Sequence, residues 1–241
     1  MPYSQSQIRE NIQMITEKIR LAAVRAGRSV SDVRLVVVTK SHPISSVRTA
    51  IEAGARILGE NYAEEGLAKI QAIGDVSGVE WHMIGHVQSR KASEIALKYT
   101  LVHSVDSQKL VERINRIAMD APAVQDILIQ VNVSGEESKS GLPCWDDAQL
   151  VSLMSEIQKI TLLPNVRVRG FMTIPPVGTD ADSARPYFQR LVKIRNFLAG
   201  EIENAEFTEL SMGMSADFEA AVEEGATLVR VGTAILGERI V

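Results

Sequence analysis

The spacing of apolar residues switches period repeatedly along the chain. Ile8, Ile12, Ile15, Ile19 and Ala22-Ala23 recur every three or four positions, which predicts an amphipathic helix over 4–26, stopped at Gly27. Leu35-Val36-Val37-Val38-Thr39-Lys40 has no helical period; its β-branched run predicts a strand covered on both faces and ending in a lysine. The same alternation then continues. Helices are predicted over 44–53, 62–73, 87–98, 107–119 (Ser107 as N-cap), 145–160, 181–203 and 216–224. Strands are predicted over 56–61, 80–85, 101–105, 127–133, 166–173, 207–212 and 228–232.

Eight strands alternating with helices in 241 residues predict an α/β fold, a (β/α)8 TIM barrel preceded by an N-terminal helix. No Pro/Gly/Ser-rich linker or short-period repeat interrupts it, so one domain over 1–241 is expected.

Composition narrows the function classes. With 45% hydrophobic and 23% charged residues the chain has the makeup of a soluble globular protein. A formal charge of -4, without any Lys/Arg block, speaks against nucleic acid or a membrane surface as partner. Cys144 is the only cysteine, which leaves no intrachain disulfide and no thiolate zinc site. The first twenty residues lack the apolar core of a signal peptide, and no run is long enough to span a membrane; a cytoplasmic location is expected.

In such a barrel the active site lies at the C-terminal ends of the strands. Lys40 there has two readings: a snorkelling rim lysine, or an amine in a dry pocket made nucleophilic toward carbonyls by desolvation. Ser211-Met212-Gly213-Met214-Ser215 separates the seventh strand from a helix, and Gly232-Thr233 follows the eighth. Glycine lets backbone N–H groups converge and the hydroxyls add donors, so the two turns together favour a phosphate site in the loops where barrels usually bind one. Arg230 is a strand-end surface charge or a permanent cation for a ring nitrogen or acid group. Asn61 is a turn residue or a donor to a ligand oxygen. His86 is a helix-capping group or a ligand contact. His42, His82 and His103 show no shared spacing or carboxylate company, so no metal site is expected. The 135–141 segment reads as a mobile, solvated loop and candidate lid; its Lys139 ranks second to Lys40 as a nucleophile for want of desolvation. An amine facing a phosphate clamp fits a phosphorylated aldehyde, and pyridoxal 5′-phosphate (PLP) carries both groups on one ring.

Val37-Val38-Thr39-Lys40, Gly59-Glu60-Asn61, the 81–89 run, Gln130-Val131-Asn132, Lys139-Ser140-Gly141, the 210–217 run and the 229–237 run resemble the YggS/PROSC family of pyridoxal phosphate homeostasis proteins. The resemblance spans essentially the whole chain in order and implies a barrel like the N-terminal domain of alanine racemase. It implies that Lys40 holds PLP as a Schiff base and that Arg230 faces the pyridine nitrogen. Gly232, Thr233 and the Ser211, Met212 to Ser215 loop would grip the phosphate, with Asn61 near the ring; spacing leaves open which of Ser211 and Ser215 touches phosphate. Ser41-His42 stands where the family often has Thr-Lys, and Trp81 where Phe is common.

The implied role is that of a PLP-binding regulatory protein. It would buffer or deliver cofactor, with PLP-dependent apo-enzymes as possible recipients and effects on amino-acid and keto-acid pools. A PLP-dependent amino-acid racemase is the alternative, and a Schiff-base aldolase on a sugar phosphate a weaker one. Two-base racemisation needs an acid/base group on the ring face opposite the lysine. The chain ends nine residues past Gly232, without room for a second domain to bring one, and of its four tyrosines only Tyr62 adjoins a candidate site residue. Arginine at the ring nitrogen would also weaken the electron sink. A monomer, more binder than enzyme, is therefore expected.

Overall fold

A computed structural model describes residues 3–121, 123–176 and 178–238. The apolar runs become strands β1 (Arg34–Val38), β2 (Ile57–Glu60), β3 (Glu80–Met83), β4 (Leu101–Val105), β5 (Gln125–Asn132), β6 (Leu142–Pro143), β7 (Val166–Met172), β8 (Glu209–Ser211) and β9 (Leu228–Val231). All but β6 form the barrel wall, in the order β4-β3-β2-β1-β9-β8-β7-β5, and β4 pairs with β5 to close the ring. Every pairing is parallel. The two-residue β6, which the pattern does not announce, adds to β5 outside the ring.

Side-chain alternation explains the two buried layers. Val36, Ile57, Leu101, Leu128, Met172 and Leu228 form a cluster of their own inside the ring. Their strand neighbours Val37, Leu58, Val102, Ile127, Phe171 and Val229 join the larger core between wall and helices.

The helices are α1 (Gln5–Arg25), α2 (Ile44–Glu52), α3 (Ala63–Ile73), α4 (Ala92–Ile95), α5 (Gln108–Ala118), α6 (Leu150–Thr161), α7 (Ala181–Glu201), α8 (Phe218–Glu223) and α9 (Thr233–Leu236). Helix α1 starts with a capping box, in which Ser4 Oγ accepts from the Gln7 amide and Gln7 Oε1 accepts from the Ser4 amide. Its stripe of Ile8, Ile12, Ile15 and Ile19 is buried against the barrel's outer layer. The expected helix over 87–98 is instead a 3-10 turn at Ser89–Lys91 followed by the single turn of α4. None of the described helices is long and apolar enough to cross a membrane.

Candidate functional site

At the C-terminal rim a cavity of about 330 Å³ is lined by Lys40, Asn61, Ser215, Arg230, Gly232 and Thr233, with Val38, Ile84, Ile174, Met214 and Ala216 as further walls. That volume lies in the range of small-molecule pockets. Six candidate residues from four strand ends are thus brought to one place. Ser211, Met212 and His86 are not among its lining residues.

Lys40 is half-buried and sits two residues beyond β1, in a turn where Ser41 takes a left-handed φ of 59°. The sequence expectation had it as the last residue of the strand. A polar network that sequence reasoning missed clamps this turn on both sides. Lys69 Nζ donates to the Thr39 carbonyl (2.6 Å), to Glu60 Oε1 (2.8 Å) and to Glu65 Oε1 (2.7 Å). Glu65 Oε1 also accepts the Ser41 amide at 2.6 Å, and Thr39 Oγ1 donates to Glu60 at 2.5 Å. Burial raises the Glu60 pKa against the opposing pull of Lys69 and Thr39. The Glu65/Lys69 pair, four apart on α3, and a glutamate inside an apolar strand were the available signals.

Arg230 points from β9 into the barrel interior and is 5% exposed. Its Nη1 donates to Ser211 Oγ at 2.5 Å and its Nη2 to the Thr173 carbonyl at 2.9 Å. Burial pushes its pKa down to about 10, with nearby Asp217 opposing, so it remains a cation at neutral pH. Ser211 lies beneath Arg230 and also meets His103 Nδ1 at 2.8 Å. The expectation that the interior histidines have no carboxylate company is corrected: His103 bonds His82, and His82 bonds Glu80.

The turn before α8 is shaped by Asp217, a buried side chain whose Oδ1 accepts the Met214 amide at 2.6 Å. Burial raises the Asp217 pKa. Gly213 has φ 88°, and a Cβ there would lie 2.4 Å from Ala221 Cβ; only glycine fits. Within the described residues the amides of Ser215, Ala216, Thr233 and Ala234 have no protein acceptor, which leaves two sets of donors beside the cavity. A Cβ at Gly232 would come within 3.1 Å of Val38 Cβ, so the second turn also runs tight against β1.

Met212 belongs to the core outside the ring. His86, with its side chain 57% exposed, pairs with Asp106 at 3.1 Å and lines a neighbouring cavity of about 350 Å³ together with Tyr62. The two cavities share Asn61. The 135–141 segment is more tied than the sequence suggests. Asn132 Oδ1 accepts from the Ser134 and Gly135 amides, Asn132 Nδ2 donates to the Glu136 carbonyl, and Lys139 Nζ donates to the Pro175 carbonyl at 3.3 Å.

A barrel with these rim groups defines a class: the chain belongs to the alanine racemase N-terminal domain family, whose model matches residues 5–240. Within it, the chain groups with proteins named pyridoxal phosphate homeostasis protein. The one from Aquifex aeolicus (strain VF5) is 41% identical over 95% of this chain and 97% of its own length. PipY of Synechococcus elongatus PCC7942, solved with PLP bound, is 35% identical with a TM-score of 0.78, covering 92% of this chain and 100% of PipY. Its structure without PLP is 36% identical with a TM-score of 0.79, covering 91% and 99%.

Proposed function

We propose that this chain, acting as one domain and as a monomer, binds PLP in the rim cavity and holds it covalently through Lys40. Its role is in intracellular PLP homeostasis, buffering the cofactor or delivering it to apo-enzymes, and thereby setting amino-acid and keto-acid pools. The carrying observation is the convergence of Lys40, Arg230 and the donor turns at Ser215 and Gly232-Thr233 on one cavity. The relatives named for PLP homeostasis and the PLP-bound PipY support it.

The residues fit the group. When bound, PLP supplies an aldehyde that condenses with amines. The clamp around Thr39 and Ser41 orients the Lys40 side chain toward the cavity it lines. Acceptor-free amides of Ser215, Ala216, Thr233 and Ala234 answer a phosphate without a cation having to be desolvated there. Arg230 is held by two acceptors inside the barrel and keeps its protons, so it presents donors and no acid to the ring nitrogen. Asn61 offers an amide at the shared edge of the two cavities.

Titration of the purified protein with PLP tests this reading. A saturable visible band that borohydride bleaches and Lys40→Ala lacks is the expected result, together with no amino-acid turnover near the 1 s⁻¹ floor typical of enzymes, roughly. A colourless protein would overturn the PLP reading; turnover at enzyme rates would overturn the regulatory role in favour of racemase chemistry.

A further inference from the structure

Four polar side chains run in line through the ring beneath Arg230. Glu80, at the first position of β3, has its side chain 42% exposed at the end of the barrel opposite the cavity. Its Oε2 lies 3.1 Å from His82 Nε2. His82 Nδ1 lies 2.9 Å from His103 Nε2, with ring centroids 5.0 Å apart, and His103 Nδ1 lies 2.8 Å from Ser211 Oγ. Ser211 Oγ then accepts from Arg230 Nη1, and Arg230 lines the cavity. His82, His103 and Ser211 are each at most 1% exposed.

The two ends dictate the direction of every proton in between. Arginine can only donate, and an ionised glutamate can only accept. With Glu80 accepting, His82 Nε2 carries the hydrogen and a neutral His82 offers Nδ1 as acceptor. His103 must therefore donate from Nε2, leaving its Nδ1 to accept the Ser211 hydroxyl. The serine oxygen is then free to accept from Arg230, and every site in the chain is satisfied without an extra proton. The reverse polarity needs a protonated Glu80 and leaves the Ser211 hydroxyl hydrogen without an acceptor. Burial favours the neutral form of both rings, and the His82 bond favours the ionised form of Glu80. Arg34 and Glu209, ion-paired at 2.6 Å, are the other charges acting on His82 from the same end.

We propose that Glu80, His82, His103 and Ser211 form a one-way hydrogen-bond relay along the barrel that holds the Arg230 guanidinium in place at the cavity, making His82 and His103 positioning residues for the ligand's ring. The functional weight of the inference rests on the PLP reading, but its first test does not. The relay couples a solvent-reached carboxylate at one barrel end to a buried cation at the other, and chains of this kind polarise each of their members.

The test uses the ligand-free full chain with ¹⁵N-labelled histidine, and its readout is the ring nitrogen shifts at neutral pH. Both His82 and His103 are expected as neutral Nε2–H tautomers. In Glu80→Gln, whose amide oxygen still accepts from His82 Nε2–H but carries no charge, His82 should keep its tautomer with a shifted Nε2 resonance, while thermal stability stays close to that of the native chain. PLP should then bind Glu80→Gln about fivefold more weakly, the gap between a neutral and a charge-assisted hydrogen bond. An imidazolium or an Nδ1–H tautomer at either ring would overturn the relay, and so would unchanged His82 shifts in Glu80→Gln. Unchanged PLP affinity alongside the His82 shift change would overturn its positioning role. Failure of the native chain to bind PLP would count against the cofactor reading and leave the tautomer result to decide the relay.

Discussion

Replacing Lys69 by methionine removes the one cation shared by Thr39, Glu60 and Glu65 while keeping a side chain of similar length. Lys69 is 4% exposed and Glu60 fully buried, so solvent does little to screen the pair. Removing one partner of a buried ion pair costs about 3–5 kcal/mol, because the other charge stays behind without compensation. At this chain length that lowers Tm by roughly 6–20 °C. The loss has a pH signature. Burial already raises the folded-state pKa of Glu60, and losing Lys69 raises it further. A carboxyl raised in the folded state stabilises while protonated and loses that contribution as pH climbs through its folded pKa, so the deficit must be larger at about pH 8 than at about pH 5. Circular dichroism melts and urea titrations at both pH values measure it. The double variant Glu60→Gln/Lys69→Met, which removes the stranded charge, should recover more than half the loss. A single-variant loss below about 1 kcal/mol at the higher pH, or a double variant no better than the single, refutes the argument.

Other consequences are simpler. Gly213→Ala places a Cβ 2.4 Å from Ala221 Cβ in a left-handed backbone, and should cost about 2–4 kcal/mol in urea unfolding; a loss under about 0.5 kcal/mol would contradict it. His82 and His103 have folded-state pKa values lowered from the ordinary 6.5 by burial, so the unfolded chain takes up protons first as pH falls. Stability should therefore be intact above that value and drop by about 1–3 kcal/mol over the next pH unit below it, with His103→Asn flattening the slope.

The barrel was legible because each strand is a short apolar run and each helix a periodic one, so local pattern and final topology agree. The rim groups Lys40, Asn61, Ser215, Arg230, Gly232 and Thr233 were legible as strand-end chemistry, since the fold sends strand ends to one face. Ser211 misled for a reason of parity. It sits in a serine-glycine stretch that resembles an anion turn, yet as the last residue of β8 it points into the ring, while Met212 points out to the helices. His82 and His103 lie 21 residues apart on neighbouring strands, and their meeting depends on a pairing register that sequence spacing does not carry. Lys69 was hidden because on α3 it looks like an ordinary i,i+4 partner of Glu65; only the pairing of β1 with β2, with α3 packed beside them, brings it to the Thr39 carbonyl.

The position of a reduced adduct decides whether Lys40 holds the cofactor. Protein saturated with PLP, treated with borohydride, digested and mapped by mass spectrometry should carry one phosphopyridoxyl group per chain, on Lys40. Modification on Lys139 or Lys69 instead, or no adduct on any peptide, would contradict it.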